Sequence, residues 1–166
     1  MEFQVGDAVF HPVYGIGHVV AISGKSFAEN QARMYYEITT EKSTVFMPVD
    51  SSAKAGLRRA TGKRELARYR SVLKSPPVGL ADDHAKRRLD IANQLKQGSL
   101  QIVCQVVRDL SARAVSKRLT QLDSTTLRKA RADLEQEWAA ANGTSMADAA
   151  KEIDALLADG QGSRSR

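Results

Sequence analysis

One cysteine, Cys104, and three histidines, His11, His18 and His84, are all this 166-residue chain offers to thiol or soft-metal chemistry. A lone thiol forms no internal disulfide, and no zinc site of standard Cys/His spacing can be assembled around it. Cys104 lies in the helical run VCQVV, where a thiol packs as a small hydrophobe. The histidines have no HExxH or CxxC companion, and His11 with His18 across a hairpin makes two ligands where a metal needs three or four. They read as strand-end residues. Gly24-Lys25-Ser26 lacks the upstream glycine of a phosphate loop. No nucleophile–base pair or carboxylate pair stands out, so the sequence reads as a cofactor-free, metal-free protein that is not an enzyme. Apolar runs stay well short of the ~20 residues a bilayer span needs, and the start, MEFQVGD, lacks the basic and apolar regions of a secretory signal. The expected location is the cytoplasm, away from membranes.

What is abundant is positive charge, and it is unevenly placed. The net charge is +6. Residues 1–60 are balanced, with six Lys/Arg against six Asp/Glu; residues 61–118 carry thirteen against five; residues 119–166 carry six against eight. An excess confined to the middle third suits a surface that meets a polyanion.

The first sixty residues carry strand signals: Val5 through Phe10, then GHVVAIS, RMYYEIT and STVFMPV, with GLRRA as a short fifth. Tyr36 and Ile38 alternate with Tyr35 and Glu37, the period of a half-buried strand. Pro12 ends the first strand near His11, and Gly15 and Gly17 are expected to supply positive φ for a reversal in HPVYGIG. Short strands at this spacing predict a small SH3- or Tudor-like barrel, curled so that its edges close.

From residue 61 the periodicity becomes helical. Leu66, Tyr69, Val72 and Leu73 make one stripe, which stops before Pro76-Pro77. SPPVGLAD reads as a hinge. Asp82 or Asp83 caps a helix over 84–97 with Ala85, Leu89, Ala92 and Leu95 inward; Ser99 caps a central helix with Leu100, Val103, Val106, Val107, Leu110 and Ala114 inward. A fourth helix over 124–141 buries Leu127, Ala130, Leu134 and Trp138, and a fifth opens at Ser145 with Met146, Ala149, Ile153, Leu156 and Leu157 inward. The fold class is therefore α+β: a β domain over 1–60, a helical domain over 61–160 and a polar tail over 161–166 expected to be disordered.

The sharpest chemical feature is Lys86-Arg87-Arg88, directly after the cap of the second helix, where the helix dipole already favours anions. Three consecutive positions spread over more than half the helix circumference, so at least one must brush the packed side. Lys63, Arg64, Arg68, Arg70, Arg113, Lys117 and Arg118 could extend the field.

In order and spacing, VGDAVFHPVYGIGHV, YYEI, VFMPVD and GLRR, followed by LKSPP, KQGS and QVVRDL, resemble the CarD/CdnL family of bacterial transcription regulators. The N-terminal part also looks like the polymerase-interacting domain of the transcription-repair coupling factor. The resemblance spans roughly residues 3–118. It implies a non-enzymatic, monomeric factor, associated with the nucleoid through RNA polymerase holoenzyme. Its Tudor-like domain would bind the polymerase β subunit through Lys25, Ser26, Phe27 and Phe46. Its helical domain would contact promoter double-stranded DNA, largely without sequence specificity, at the upstream edge of the bubble through His84, Lys86, Arg87 and Arg88. His84 stands where well-known members carry a tryptophan wedge, and Phe46 replaces a family basic residue.

A second reading makes the chain a protein-interaction module, with the β domain taking a partner by edge-strand addition and no functional DNA contact. An aromatic cage from Tyr14, Tyr35, Tyr36 and Phe46 is disfavoured, because neighbours Tyr35 and Tyr36 point to opposite faces.

Overall fold

The computed structural model describes residues 2–27 and 32–162. They form two compact units, divided between Ala60 and Thr61. The expected α+β class is observed.

The first unit is an antiparallel sheet of β1 (Ala8–His11), β2 (Gly15–Lys25), β3 (Arg33–Thr40), β4 (Thr44–Pro48) and β5 (Arg58–Arg59). The strand order is β4-β3-β2-β1-β5. It is an open sheet: β4 and β5 end the row, and no pairing between them closes a barrel among the described residues. Alternation sets the faces. Tyr36 and Ile38 are buried with Phe3, Val9, Val19, Met47 and Leu57, while Tyr35 and Glu37 lie on the opposite face.

The β1–β2 turn is organised by His11, buried beneath the reversal. Its Nδ1 accepts from the backbone N–H of Val13 at 3.0 Å and of Tyr14 at 3.4 Å, and its ring lies 4.9 Å from that of Tyr14. Gly15 has φ 74°, the left-handed conformation expected of it. Gly17 serves a different purpose from the one expected. Its φ is not positive; a Cβ there would stand 2.6 Å from Ile38 Cγ2 and 2.9 Å from the Thr39 carbonyl oxygen. Glycine is needed at that position for the close approach of β2 and β3.

The second unit contains α1 (Leu66–Lys74), α2 (His84–Leu95), α3 (Leu100–Ser116), α4 (Gln121–Asn142) and α5 (Met146–Gly162). Side chains of Asp83, Ser99 and Thr120 cap α2, α3 and α4, Ser145 accepts from the Asp148 N–H, and Gly143, at φ 66°, stops α4. As the breadth of its stripe predicts, α3 is central, packing on each of the other four helices. Leu100, Val107, Leu110, Leu134, Trp138 and Ile153 anchor the core. Trp138 is buried as expected and donates from Nε1 to Glu152 at 3.0 Å.

Expectations for α2 and α5 need correction. α2 is turned so that Arg87 and Ile91 are its buried residues, and Leu89, expected inward, is 61% exposed. The apolar moment loses to a buried ion pair at Arg87, described below. Met146 is likewise exposed. α5 runs two residues into the segment expected to be unfolded, because buried Gly160 packs where a Cβ would meet the Leu73 and Lys74 carbonyl oxygens at 2.9 Å. The rest of that segment, 163–166, lies outside the described residues.

The segment between α1 and α2 is pinned rather than hinged. Val78 donates its N–H to Asp109 Oδ1 at 3.0 Å, and Arg108, paired with Asp109 at 2.7 Å, donates to Ser75 Oγ at 2.7 Å. Among the described residues no helix is long and apolar enough to cross a membrane.

Candidate functional site

Two surfaces collect the residues singled out by sequence, one in each unit. In the β unit, the outer face at the β2–β3–β4 end gathers Lys25, Phe27 and Phe46. For two of them the register explains this: Lys25 pairs with Arg33 across β2–β3, and Phe46 with Glu37 across β3–β4, placing both on one pleat face. Lys25 Nζ sits 3.8 Å from the Phe46 ring centroid, a cation–π contact. Phe27 lies 6.0 Å from Phe46 and 5.1 Å, edge-on, from Tyr35. Phe27 is 65% exposed, so apolar area remains open beside a cation. Ser26 is exposed between Lys25 and Phe27. Sequence reading missed Tyr35, whose place opposite Pro48 and diagonal to Phe46 was legible in the strand alternation. β4 itself is hydrogen-bonded only to β3 among the described strands, leaving its other edge open.

In the helical unit, the ends of three helices converge. Arg87 near the start of α2 bonds Asp123 in the first turn of α4, at 2.8 Å. Asp82, just before α2, bonds Lys117 after α3 at 2.7 Å and Arg113 on α3 at 3.4 Å. The starts of α2 and α4 and the end of α3 therefore share one end of the unit, with His84, Lys86, Arg88, Lys117 and Arg118 exposed there. Two helix N-termini here favour anions, and the exposed cations Lys86, Arg88, Lys117 and Arg118 stand beside the carboxylates of Asp82 and Asp90.

Of the four α2 residues expected to contact DNA, Arg87 is turned into the interior. It is 1% exposed, and its guanidinium is fully engaged: Nε on Asp123 at 2.8 Å, Nη1 on the carbonyls of Ala81 at 2.9 Å and Asp82 at 3.0 Å, Nη2 against His84 Nδ1 at 2.9 Å. It is the one of three consecutive cations that the helix turn carries inward. Lys86 is exposed in a pair with Asp90 at 3.1 Å, and Arg88 is exposed, donating to the His84 carbonyl at 3.4 Å.

The wider basic field is trimmed in the same way. Arg108 is buried on Asp109, Arg70 is tied to Glu152 at 2.5 Å, Arg68 donates to Gln101, and Asp82 pairs with both Arg113 and Lys117. The Lys117 and Arg113 cations hold the Asp82 carboxyl below its ordinary value of 3.8. Spacing alone gives no signal for Asp82 and Asp123, the acids that decide which cations face water. Lys63, Arg64 and Arg118 are exposed without a carboxylate partner among the described residues.

Burial pushes the Cys104 thiol up to about 12, and no cluster of His, Cys, Asp and Glu able to hold a metal occurs among the described residues.

Comparison with known proteins comes down on both units. Residues 3–61 match the family "CarD-like/TRCF RID domain" and residues 69–154 match "CarD, C-terminal domain". Among curated proteins, "Putative transcription factor YdeB" of Bacillus subtilis (strain 168) is 25% identical over 126 residues, 75% of this chain and 82% of the relative.

Proposed function

We propose, from the premise that this chain belongs to the CarD family of transcription regulators, that it bridges RNA polymerase and promoter DNA during initiation. The β unit binds the polymerase β subunit through the Lys25–Phe46–Phe27 face and the adjoining open edge of β4. The helical unit lies on double-stranded DNA at the upstream edge of the bubble through the end shared by α2, α3 and α4, with Lys86 and Arg88 on phosphates and His84 nearest the bases. It acts without catalysis or cofactor, as one copy per polymerase, on the nucleoid in the cytoplasm.

The observation that supports this reading best is the convergence of exposed cations at the shared ends of α2, α3 and α4. Phosphate contacts made there release counterions, so duplex affinity falls as salt rises. The aromatic face supports the protein half: Phe and Tyr beside a cation form the apolar centre and charged rim of a protein interface.

The test uses the full chain. Lys86→Glu with Arg88→Glu is expected to abolish salt-dependent duplex binding and the effect on open-complex lifetime, while a β-subunit fragment is still captured. Lys25→Glu with Phe46→Ala is expected to do the reverse.

The open edge of β4 favours a second reading, a module that takes its partner by strand addition with no functional DNA contact. It wins if the Lys86/Arg88 reversal changes neither duplex binding nor initiation while β-subunit capture persists.

A further inference from the structure

The contact between Arg87 Nη2 and His84 Nδ1, at 2.9 Å, has one chemical solution. A guanidinium carries donors only, so the imidazole must accept at Nδ1. The single proton of the neutral ring then sits on Nε2. Arg87 cannot turn away to relax this choice, because Nε is held by buried Asp123 and Nη1 by the carbonyls of Ala81 and Asp82. His84 opens α2 directly after the capping Asp83, is exposed, and has no partner for Nε2 among the described residues.

We infer that His84 is a dedicated hydrogen-bond donor, presenting Nε2–H to an acceptor on duplex DNA, and that Arg87, braced by Asp123, is the positioning residue that fixes its tautomer. This rests on the reading that this end of the helical unit faces DNA. The ligand class is an unprotonated oxygen or nitrogen: a phosphate oxygen, or the adenine N3 and pyrimidine O2 of a minor-groove edge. The two sources differ in consequence. A·T pairs show only acceptors in the minor groove, whereas G·C adds the guanine N2 donor, so an Nε2–H donor there favours A·T; a phosphate contact gives no base preference.

The experiment has two parts on the full chain. First, a two-bond ¹H–¹⁵N correlation spectrum at pH 8 is expected to show His84 in the Nε2–H form. An Nδ1–H pattern overturns the inference, with no variant that might fail to fold. Second, duplex affinity is compared for His84→Gln, which keeps a donor near the Nε2 position, and His84→Asn, which does not reach it. One lost hydrogen bond predicts about a fivefold weakening in His84→Asn and less than about twofold in His84→Gln. The reverse ranking, or equal loss in both, overturns it. Repeating the wild-type and Asn measurements on duplex carrying 3-deazaadenine together with pyrimidine analogues that lack O2, or on duplex carrying methylphosphonate links, identifies the acceptor as base edge or phosphate according to which duplex erases the difference; erasure by neither overturns the proposal. Should Lys86→Glu with Arg88→Glu leave duplex binding intact, the DNA-facing reading itself has failed, and the spectrum still reports the tautomer independently.

Discussion

Arg87 of α2 donates from Nε to a carboxylate oxygen of Asp123 of α4 at 2.8 Å, with side-chain exposures of 1% and 2%. A charge buried alone is far costlier than a pair buried together, because the partner left behind keeps its full desolvation penalty. Arg87→Met or Asp123→Asn is expected to destabilise the helical unit by about 3–5 kcal/mol. The double variant Arg87→Met with Asp123→Leu should lose much less than the sum. Urea unfolding followed by far-UV circular dichroism measures all three, and additive losses would refute the coupling.

Asp82 occupies the cations of Lys117 and Arg113 at the surface proposed to face DNA. Its side chain is 78% exposed, so the pairs add little to stability, but its carboxylate subtracts one unit of positive charge from the site. Asp82→Asn is expected to tighten duplex binding several-fold and steepen its salt dependence, by fluorescence anisotropy across a salt series. Because the folded carboxyl is held below 3.8, mainly by Lys117, the ion pairs persist above that value. They are lost only as pH falls through the lowered value.

Glu152 links Arg70 on α1 to Trp138 on α4. Burial alone would raise its carboxyl, but Arg70 and the Trp138 N–H outweigh it and hold it below 4.5. A lowered folded value contributes stability that is present above the unfolded value and lost as pH falls through the folded one. The native protein should therefore lose stability in acid below about pH 4.5 more steeply than Glu152→Gln. Thermal melts between pH 3 and 7, read by Trp138 fluorescence, check the difference in slope.

Cys104 is buried in α3 with its thiol pushed up to about 12. Thiolate is the reactive form, so the native protein should resist a thiol-labelling disulfide reagent and react fully in guanidinium. Comparable labelling rates in the two conditions would show that α3 is not the sealed centre of the helical unit.

Gly17→Ala should cost about 1–3 kcal/mol, since the added methyl meets Ile38 and the β3 backbone. Gly24→Ala, where the nearest atom is Met34 Sδ at 3.8 Å, is the control and should be nearly silent on the same melt.

Where sequence reading succeeded, the signal was periodic or local. Tyr36 and Ile38 declared a strand face, Ser99 and Gly143 declared helix ends, and Trp138 fell on an inward stripe. Where it failed, the deciding partner lay far along the chain. The orientation of α2 depends on Asp123, thirty-six residues from Arg87, and no periodicity within HAKRRLDIANQL reports it. The apolar spacing of Ala85, Leu89 and Ala92 pointed inward because a pattern cannot show that an ion pair has claimed the inner face. Counting cations by segment gives only a sum, and Arg87 and Arg108 contribute to it from the interior. Lys25 and Phe46, singled out by resemblance alone, share a face through the β2–β3–β4 register.

In the helical unit, the first and last helices lie against one another, and Gly160 beds onto the backbone at the end of α1. During synthesis α1 emerges more than seventy residues before its closing partner. Until that partner arrives, the apolar flank of α1 around Leu73 stays wet. The helical unit therefore closes only when its last helix has left the ribosome, and a premature stop between α1 and α5 should leave that unit open to proteolysis.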